Sequence, residues 1–437
     1  MYQTKKEQGI TLIALVVTLI ILIILAAVSI NMVLGDQGIF KKAQEGANSM
    51  HDAEVNTQAS FNSITDEMEQ VLQGTEKATD IYVFLYDDGT LAFGTQNESI
   101  EGKNVEKEYG NIKGKEYSSW MLEDDSRMSD TPWFNDSTLI TKVSIVDKII
   151  PLTMSSWFDS CINLNEFENI ENIDTSEVKS MKWMFDTCTS LTNLDVSSFD
   201  TSNVIDMGAM FAHCNNLTQI LGLENLDTKN VKNMGSMFYH CDNLTNLNLS
   251  KFNTHQVEKM ESMFYNCHSL TTLDLSSFDT SNVIDMQHMF DNCNNLISIN
   301  LSSFNTSQVE NMEYMFYGCR SLTTLDLHNF NTGAVISMKN MFDNCENLTE
   351  ILGLESFNTS KVENMRAMFG YCTRLATLDL RNFDTSNVIN MSSMFAYCTN
   401  LTTIYVGNNW NLTDVEDTNH MFDYCGTSTT TPKESNV

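Results

Sequence analysis

Proline and basic residues are scarce in this 437-residue chain. It has three prolines, and none lies between Pro151 and Pro432. Because proline removes a backbone donor, this long stretch is free of the commonest interruption of regular hydrogen bonding. The chain has 25 basic and 57 acidic residues and a formal net charge of −32. Such a surface repels phosphate backbones and anionic headgroups, so the sequence predicts no nucleic-acid partner.

Motifs of catalysis are absent from the sequence as well. It contains no Gly-x-Ser-x-Gly, phosphate loop, His-Glu-x-x-His or dinucleotide fingerprint. Its eight histidines never cluster with a candidate nucleophile. The sequence therefore predicts a protein that is not an enzyme and that carries no cofactor.

The cysteines, by contrast, follow a strict rhythm. All eleven recur at intervals of 26 or 27 residues: Cys161, Cys188, Cys214, Cys241, Cys267, Cys293, Cys319, Cys345, Cys372, Cys398 and Cys425. The 26-residue intervals follow the pattern C-x-x-L-x-x-L-[DN]-[LV]-x-x-F-[DN]-T-x-x-V-x-x-M-x-x-M-F-x-x-C. A period of roughly 20 to 29 residues with an L-x-x-L-x-L core is the leucine-rich-repeat pattern. Each repeat should then add one layer to a single core.

Three segments of each repeat carry local signals. The alternation in Leu273-Asp274-Leu275 predicts a short parallel strand. The spacing of M-x-x-M-F-x-x-C places apolar residues at i, i+3, i+4 and i+7, which predicts a short helix. Asp-Thr-Ser or Asn-Thr-Ser, as at residues 200–202, predicts a turn. We therefore predict an α/β leucine-rich-repeat solenoid of about ten repeats over residues 155–425.

Two of the four 27-residue intervals share the phrase Ile-Leu-Gly-Leu-Glu, at residues 220–224 and 351–355. The extra residue next to glycine predicts a bulge in the strand.

The sulfur atoms allow more than one interpretation. Cysteines stacked in adjacent repeats have Cβ atoms about 4.8 Å apart, beyond the usual reach of a disulfide, so we predict buried free thiols. Met-x-x-Met beside cysteine is also a soft ligand set for Cu(I). The same spacing is what a buried face requires, and the neighbouring phenylalanine favours packing, so no metal site is predicted.

The second strong signal is an uncharged stretch from Ile10 to Gly35. About 20 apolar residues suffice to cross a bilayer as a helix, and Lys5 and Lys6 precede them. We predict a transmembrane helix over residues 10–34, a single-pass protein in the cell membrane, and an extracellular repeat domain.

The start of the chain, with Gly9 followed by Ile10-Thr11-Leu12-Ile13-Ala14-Leu15, resembles a type IV prepilin leader over residues 1–9. The resemblance implies cleavage after Gly9 by a prepilin peptidase and N-methylation of Ile10. Pilins usually have glutamate at the fifth mature position, which is Ala14 here. Processing is therefore favoured more than assembly into a filament. The other interpretation is an uncleaved anchor.

Three further segments complete the organisation. Residues 35–75 predict a helical stalk. Residues 76–154 predict a small N-terminal cap, because two β-rich runs flank Asp87-Asp88-Gly89 as in a β-hairpin. An open solenoid end would expose its core and its strand edge, which such a cap would cover. Residues 426–437 form a polar tail.

The hairpin segment together with repeats such as residues 273–283 resembles the BspA-like leucine-rich-repeat surface proteins of bacteria. The resemblance covers roughly residues 155–425, and more loosely extends back to about residue 80. It implies a secreted or cell-surface protein, in several members concerned with adhesion. It implies no chemistry and names no ligand.

Two sets of residues are candidate binding positions. A polar position between the strand leucines predicts an acidic stripe on the sheet face, formed by Asp195, Asn248, Asp274, Asn300, Asp326 and Asp379. It would suit calcium or a cationic ligand, or its members are simply solvated and support the following turn. His213 and His240 occupy one column that later holds Tyr371, Tyr397 and Tyr424. That column is a recognition edge or an unselected surface.

The sequence thus predicts a membrane-anchored surface protein that binds a protein ligand on a host or neighbouring cell. The alternative is a minor pilin-like component that displays its repeats on a surface filament or secretion apparatus.

Overall fold

The computed structural model of the chain describes residues 78–113, 115, 119–121 and 127–432. The predicted leader with Gly9 and Ile10, the predicted transmembrane helix 10–34, the stalk and the last five residues of the tail lie outside these ranges. Within them, no helix combines the length and the apolar character that a bilayer crossing requires.

The predicted solenoid is confirmed as a stack of coils, each formed by one repeat. Short strands of successive coils pair in parallel, for example Leu273 with Ile299 and Leu325 with Ile351. A second, unbroken line of parallel bridges runs from Ser180 to Asp417. It joins the position before the first repeat methionine, which is Thr418 in the last coil. The described strands are β1 Tyr82–Tyr86, β2 Thr90–Gly94, β3 Val105–Asn111, β4 Ser119–Met121, β5 Arg127–Ser129, β6 Lys142–Ile145, β7 Glu166–Glu168, β8 Asn193–Asp195, β9 Gln219–Leu221, β10 Thr272–Asp274, β11 Ser298–Asn300, β12 Thr324–Asp326, β13 Glu350–Leu352, β14 Thr377–Leu380, β15 Thr403–Val406 and β16 Thr431–Pro432.

The predicted helix in each repeat is wrong, so the solenoid is a β-solenoid rather than an α/β one. In the described residues helical structure is limited to five short 3₁₀ segments: Phe134–Leu139, Ile170–Asn172, Thr175–Glu177, Leu223–Asn225 and Leu354–Ser356. The M-x-x-M-F-x-x-C segment forms two consecutive turns instead, in which Met184 N–H bonds Met181 and Cys188 N–H bonds Phe185.

Left-handed backbone explains why this segment is not a helix. Trp183 and Thr187 have φ of 56° and 61°, a conformation that does not occur inside a right-handed helix. The Phe185 N–H donates across to Met210 O of the next coil at 2.9 Å, where a helix would direct it along its own axis. A spacing of i, i+3, i+4 and i+7 puts apolar groups on one side both in a helix and in these two turns. The sequence pattern alone therefore does not distinguish the helix from the turns.

These left-handed residues form two columns along the solenoid. The first column is Ser156, Trp183, Ala209, Ser236, Ser262, His288, Tyr314, Asn340, Ala367, Ser393 and His420, and the second is Ser160, Thr187, His213, His240, Asn266, Asn292, Gly318, Asn344, Tyr371, Tyr397 and Tyr424. We call these two columns, with the residue after each repeat phenylalanine, the turn surface.

The core consists of stacked columns of identical residues. The phenylalanine rings from Phe158 to Phe395 are fully buried and stack coil on coil, as Phe185 does on Phe211 at 5.9 Å. All eleven cysteines are free, as predicted. Each interior thiol donates to the phenylalanine carbonyl of the preceding coil, for example Cys267 Sγ to Phe238 O at 3.1 Å. Burial raises the pKa of these thiols.

A buried threonine ladder runs beside this core, at the Thr of each Asp-Thr-Ser or Asn-Thr-Ser turn. Thr306 Oγ1 donates to Asn331 O of the next coil at 3.0 Å and accepts from Asn331 N–H at 2.8 Å. The aspartate or asparagine before it closes the predicted turn, as Asp279 Oδ1 does with Ser281 N–H at 3.0 Å. The turn was predicted, whereas the ladder between coils was not.

The predicted bulges are left-handed glycines followed by a 3₁₀ turn. Gly222 and Gly353 have φ of 77° and 90°. A Cβ at Gly222 would lie 2.3 Å from Ser197 Cα, so the extra residue leans against the preceding coil. Only glycine combines this φ with such a close approach.

The predicted hairpin before the repeats is confirmed. β1 and β2 pair antiparallel around Gly89 and lie in a sheet of order β3-β1-β2-β6-β7. β6 and β7 pair in parallel, which joins this sheet to the first coil. Phe93 stacks on Trp157 at 5.0 Å, and both belong to the same hydrophobic core as the repeats.

Candidate binding surfaces

The predicted acidic stripe lies on the strand side of the coils. Asp274 and Asn300 are register partners in β10 and β11, and Asn300 Nδ2 donates to Asp274 Oδ1 at 3.0 Å. The stripe is not continuous, because Leu221, Leu352 and Tyr405 occupy the same register in β9, β13 and β15. Its members are exposed, apart from the half-buried Asp379.

Each stripe side chain also closes a local turn. The Oδ1 acceptors and their backbone donors are Asp195 with Ser197 at 2.9 Å, Asn248 with Ser250 at 3.3 Å, Asp274 with Ser276 at 3.0 Å, Asn300 with Ser302 at 3.2 Å, Asp326 with His328 at 3.1 Å and Asp379 with Arg381 at 3.3 Å. Hydrogen bonds donated by the residues two positions later hold the pKa of Asp195, Asp274 and Asp326 below the usual value. This geometry agrees with the interpretation in which the stripe residues support the following turn. Ligand binding by the stripe remains a prediction.

Two grooves open beside stripe residues where neighbouring coils lack strand pairing. One, of about 500 Å³, lies between β9 and residues 245–248 and includes Asn248. The other, of about 350 Å³, is lined by Asn300, Asp326 and His328. Across the described part of the chain, no group of three His, Cys, Asp or Glu side chains is arranged to hold a metal ion.

The turn surface carries rings that stack from coil to coil. Centroid distances are 5.3 Å for His213–His240, 4.6 Å for Tyr239–Tyr265, 4.6 Å for His288–Tyr314, 4.4 Å for Tyr371–Tyr397 and 4.7 Å for Tyr397–Tyr424. The predicted alignment of His213 with His240, and of the three later tyrosines, is confirmed. Tyr424 in the last coil is 71% exposed. Tyrosine and histidine rings at a surface are suited to protein recognition.

Carboxylates are buried beside these rings, one residue after the repeat phenylalanine. They are Asp159, Asp186, Asp291 and Asp343. Burial raises the pKa of Asp343 to about 6. It also raises the pKa of Asp291, against the opposing effect of His288 Nδ1, which lies 2.6 Å from Asp291 Oδ2. His213 Nδ1, from the next coil, lies 2.9 Å from Asp186 Oδ1.

A family model described as "Mycoplasma protein of unknown function, DUF285" matches residues 152–273, 242–352 and 318–434. Together these overlapping matches cover well over half of the chain. The chain belongs to this DUF285 family. The family's description assigns no activity, so membership identifies the repeat and leaves the ligand open. No curated protein matches the chain.

Several solved structures are similar to this DUF285 chain at low identity. A leucine-rich repeat protein from Bacteroides ovatus is 17% identical with a TM-score of 0.35, covering 79% of this chain and 91% of its own. One from Eubacterium ventriosum is 15% identical with a TM-score of 0.33, covering 82% and 96%. A leucine rich cell surface protein from Faecalibacterium prausnitzii is 13% identical with a TM-score of 0.23, covering 81% and 94%. At these values the similarities carry no conclusion about function.

The buried acidic column is the feature of this DUF285 solenoid that sequence reasoning missed. Its signal was present, because Asp recurs directly after the repeat phenylalanine at positions 159, 186, 291, 343 and, exposed in the last coil, 423. The expected helix hid this signal. On a helix whose phenylalanine faces the core, the next residue would point to solvent. In the two-turn geometry this position is buried in four coils, at Asp159, Asp186, Asp291 and Asp343.

Proposed function

We propose that the chain is an exported, membrane-anchored surface protein of the BspA-like kind, whose solenoid binds a protein partner in adhesion. The observation that carries the proposal is the turn surface. Stacked rings and carboxylates vary there from coil to coil, while the core columns beneath them are constant. A rigid array that displays variable aromatic side chains suits recognition of another protein. No catalytic role is assigned to it.

Export and anchoring are supported by the uncharged stretch of residues 10–34 behind Lys5 and Lys6. The cell-surface location is tested by labelling intact cells with a membrane-impermeant amine reagent. Lys251 and Lys361 are exposed on the solenoid and should be modified without lysis. Modification of both only after lysis, with a known surface protein labelled in the same cells, would place the repeats inside the cell and refute the proposal.

The second candidate is a minor pilin-like component, favoured by the Gly9-Ile10 junction. The mass of the N-terminal peptide from native envelopes separates the two. A methylated Ile10, with the protein recovered in sheared filaments, would establish the pilin-like role. An intact Met1, with the protein only in membranes, would establish a plain anchor.

A further inference from the structure

The buried aspartates of the turn surface share a local hydrogen bond. In three coils the next residue donates its side chain to the carboxylate: Ser160 Oγ to Asp159 Oδ1 at 2.9 Å, Thr187 Oγ1 to Asp186 Oδ1 at 3.1 Å, and Asn344 Nδ2 to Asp343 Oδ1 at 3.2 Å. The repeat therefore has a standard way of satisfying one oxygen of this carboxylate from within its own coil.

Asp291 departs from that arrangement. Its side chain is buried, with the residue 3% exposed, and Oδ2 is paired with His288. Among the described residues, none donates a hydrogen bond to Oδ1. The next residue, Asn292, points its Oδ1 across Gly318 of the following coil, where an added Cβ would lie only 2.4 Å from it. A buried carboxylate oxygen without a donor is costly, so this position favours a donor from outside the coil.

Two tyrosines flank this oxygen. Tyr265 and Tyr317 occupy the Asp291 position on the coils before and after it. With coils about 4.8 Å apart, the backbones of these two positions are separated by about 10 Å, with the Asp291 side chain between them. Tyr265 stacks nearly parallel on Tyr239, with an interplanar angle of 8°, and also meets the ring of His288, in the coil of Asp291, in a T-shaped contact at 5.8 Å.

In this structure the Asp291 carboxylate is closed to solvent, and the half-buried Tyr265 and Tyr317 lie on the coils before and after it. Opening requires one ring to turn about its χ1 bond, and such rotamer changes at interfaces are common on binding. Gly318 lies buried beside Tyr317 with no side chain of its own, so it adds no bulk on that side. A side chain entering between the rings would reach Asp291 Oδ1 directly.

We propose that Asp291, Tyr265 and Tyr317 form a binding site for one arginine side chain of a protein partner. A guanidinium is planar, stacks on aromatic faces and donates to carboxylates, whereas a lysine ammonium is a hydrated point charge. The net charge of −32 favours approach of a basic segment. This site names the partner chemistry of the binding function proposed above and rests on it.

The test uses the detergent-solubilised full chain and three fluorescent pentapeptides, Gly-Ser-X-Ser-Gly, in which X is arginine, lysine or citrulline. Citrulline keeps the planar shape without the charge. Affinity is measured by fluorescence polarisation at about 0.15 M salt, where the Debye length is about 8 Å and remote charges are screened. The arginine peptide should bind at least about tenfold tighter than the citrulline peptide, and tighter than the lysine peptide.

Matched variants locate the site. Asp291→Asn should weaken arginine-peptide binding by about tenfold or more, because a charge-assisted hydrogen bond is lost. Asp343→Asn removes the same charge from the same column, at a carboxylate whose two oxygens already accept from Asn340 and Asn344, and should leave binding within about twofold. Tyr317→Ala should reduce the preference for arginine, and Ala212 and Ala396 show that the column accepts alanine.

Unfolding curves must show that every variant is folded. Equal binding of the arginine and citrulline peptides, no binding at millimolar peptide, or equal losses for Asp291→Asn and Asp343→Asn would each overturn the arginine site. The surface-labelling experiment does not depend on Asp291, so failure of this site and failure of the proposed function are distinguishable.

Discussion

At the scale of single residues, the turn surface places ionisable groups where water does not reach them. Asp343 is the clearest case, since Asn340 Nδ2 and Asn344 Nδ2 bond its two oxygens but neither brings a charge. Desolvation therefore outweighs these bonds and raises its pKa. The carboxylate form is therefore less favoured in the folded protein than in the unfolded chain.

This shift predicts an unusual pH dependence. The pKa of Asp343 rises from 3.8 to about 6 on folding, so its stabilising contribution is complete below about pH 4 and disappears as pH rises through 6. Between about pH 4 and pH 7 the wild type should lose roughly 2–3 kcal/mol of unfolding free energy that Asp343→Asn does not lose. Urea unfolding across this range measures the difference.

A suitable control is the exposed Asp195, whose pKa is lowered by Ser197. Asp195→Asn should alter the pH dependence in the opposite direction, and only below about pH 4. Indistinguishable pH profiles for wild type and Asp343→Asn would contradict the raised pKa.

At the scale of elements, local chemistry was readable from the sequence and contacts between coils were not. The strand at Leu273 and the hairpin around Gly89 follow from alternation and turn residues, and both are present. The Asp-Thr-Ser turn was predicted from its aspartate, but the hydrogen bonds of its threonine to the next coil were not. The two-turn segment was mistaken for a helix because apolar spacing does not report the sign of φ.

The threonine ladder can be tested at Thr306, which is fully buried. Thr306→Val keeps the shape but leaves N–H and C=O of Asn331 without their partner, which should cost about 2–4 kcal/mol. Thr306→Ser keeps the hydroxyl and loses only a methyl group, about 1 kcal/mol. The two urea midpoints measure the difference, and a smaller loss for Thr306→Val than for Thr306→Ser would show that the methyl packing, not the hydrogen bonds, holds the coils.

At the scale of the whole molecule, the cysteine period was enough to predict a solenoid and its free thiols. The candidate sites were harder to predict from the sequence. The stripe of Asp274 and Asn300 was found because it follows the strand alternation. The environment of Asp291 was not, because it depends on which residues of the neighbouring coils, Tyr265 and Tyr317, stand on either side of it.

The stacked thiols give a readout of the intact solenoid. Ten cysteines are buried, and Cys425 in the last described coil is half-buried. A thiol reagent should therefore leave the native protein almost unmodified, reach Cys425 first, and find all eleven thiols after unfolding in urea. Rapid modification of several thiols in the native state would contradict a continuous dry core.

The two left-handed columns also have a consequence for how the solenoid folds. A left-handed residue other than glycine is locally unfavourable by about 1 kcal/mol or more, and almost every coil contains two. The hydrogen bonds that offset this cost, such as Phe185 N–H to Met210 O, exist only when an adjacent coil is already in place. A single coil is therefore not stable by itself. Assembly has to begin with a neighbouring pair and then spread outward one turn at a time, so the newest coil is always held by the one before it.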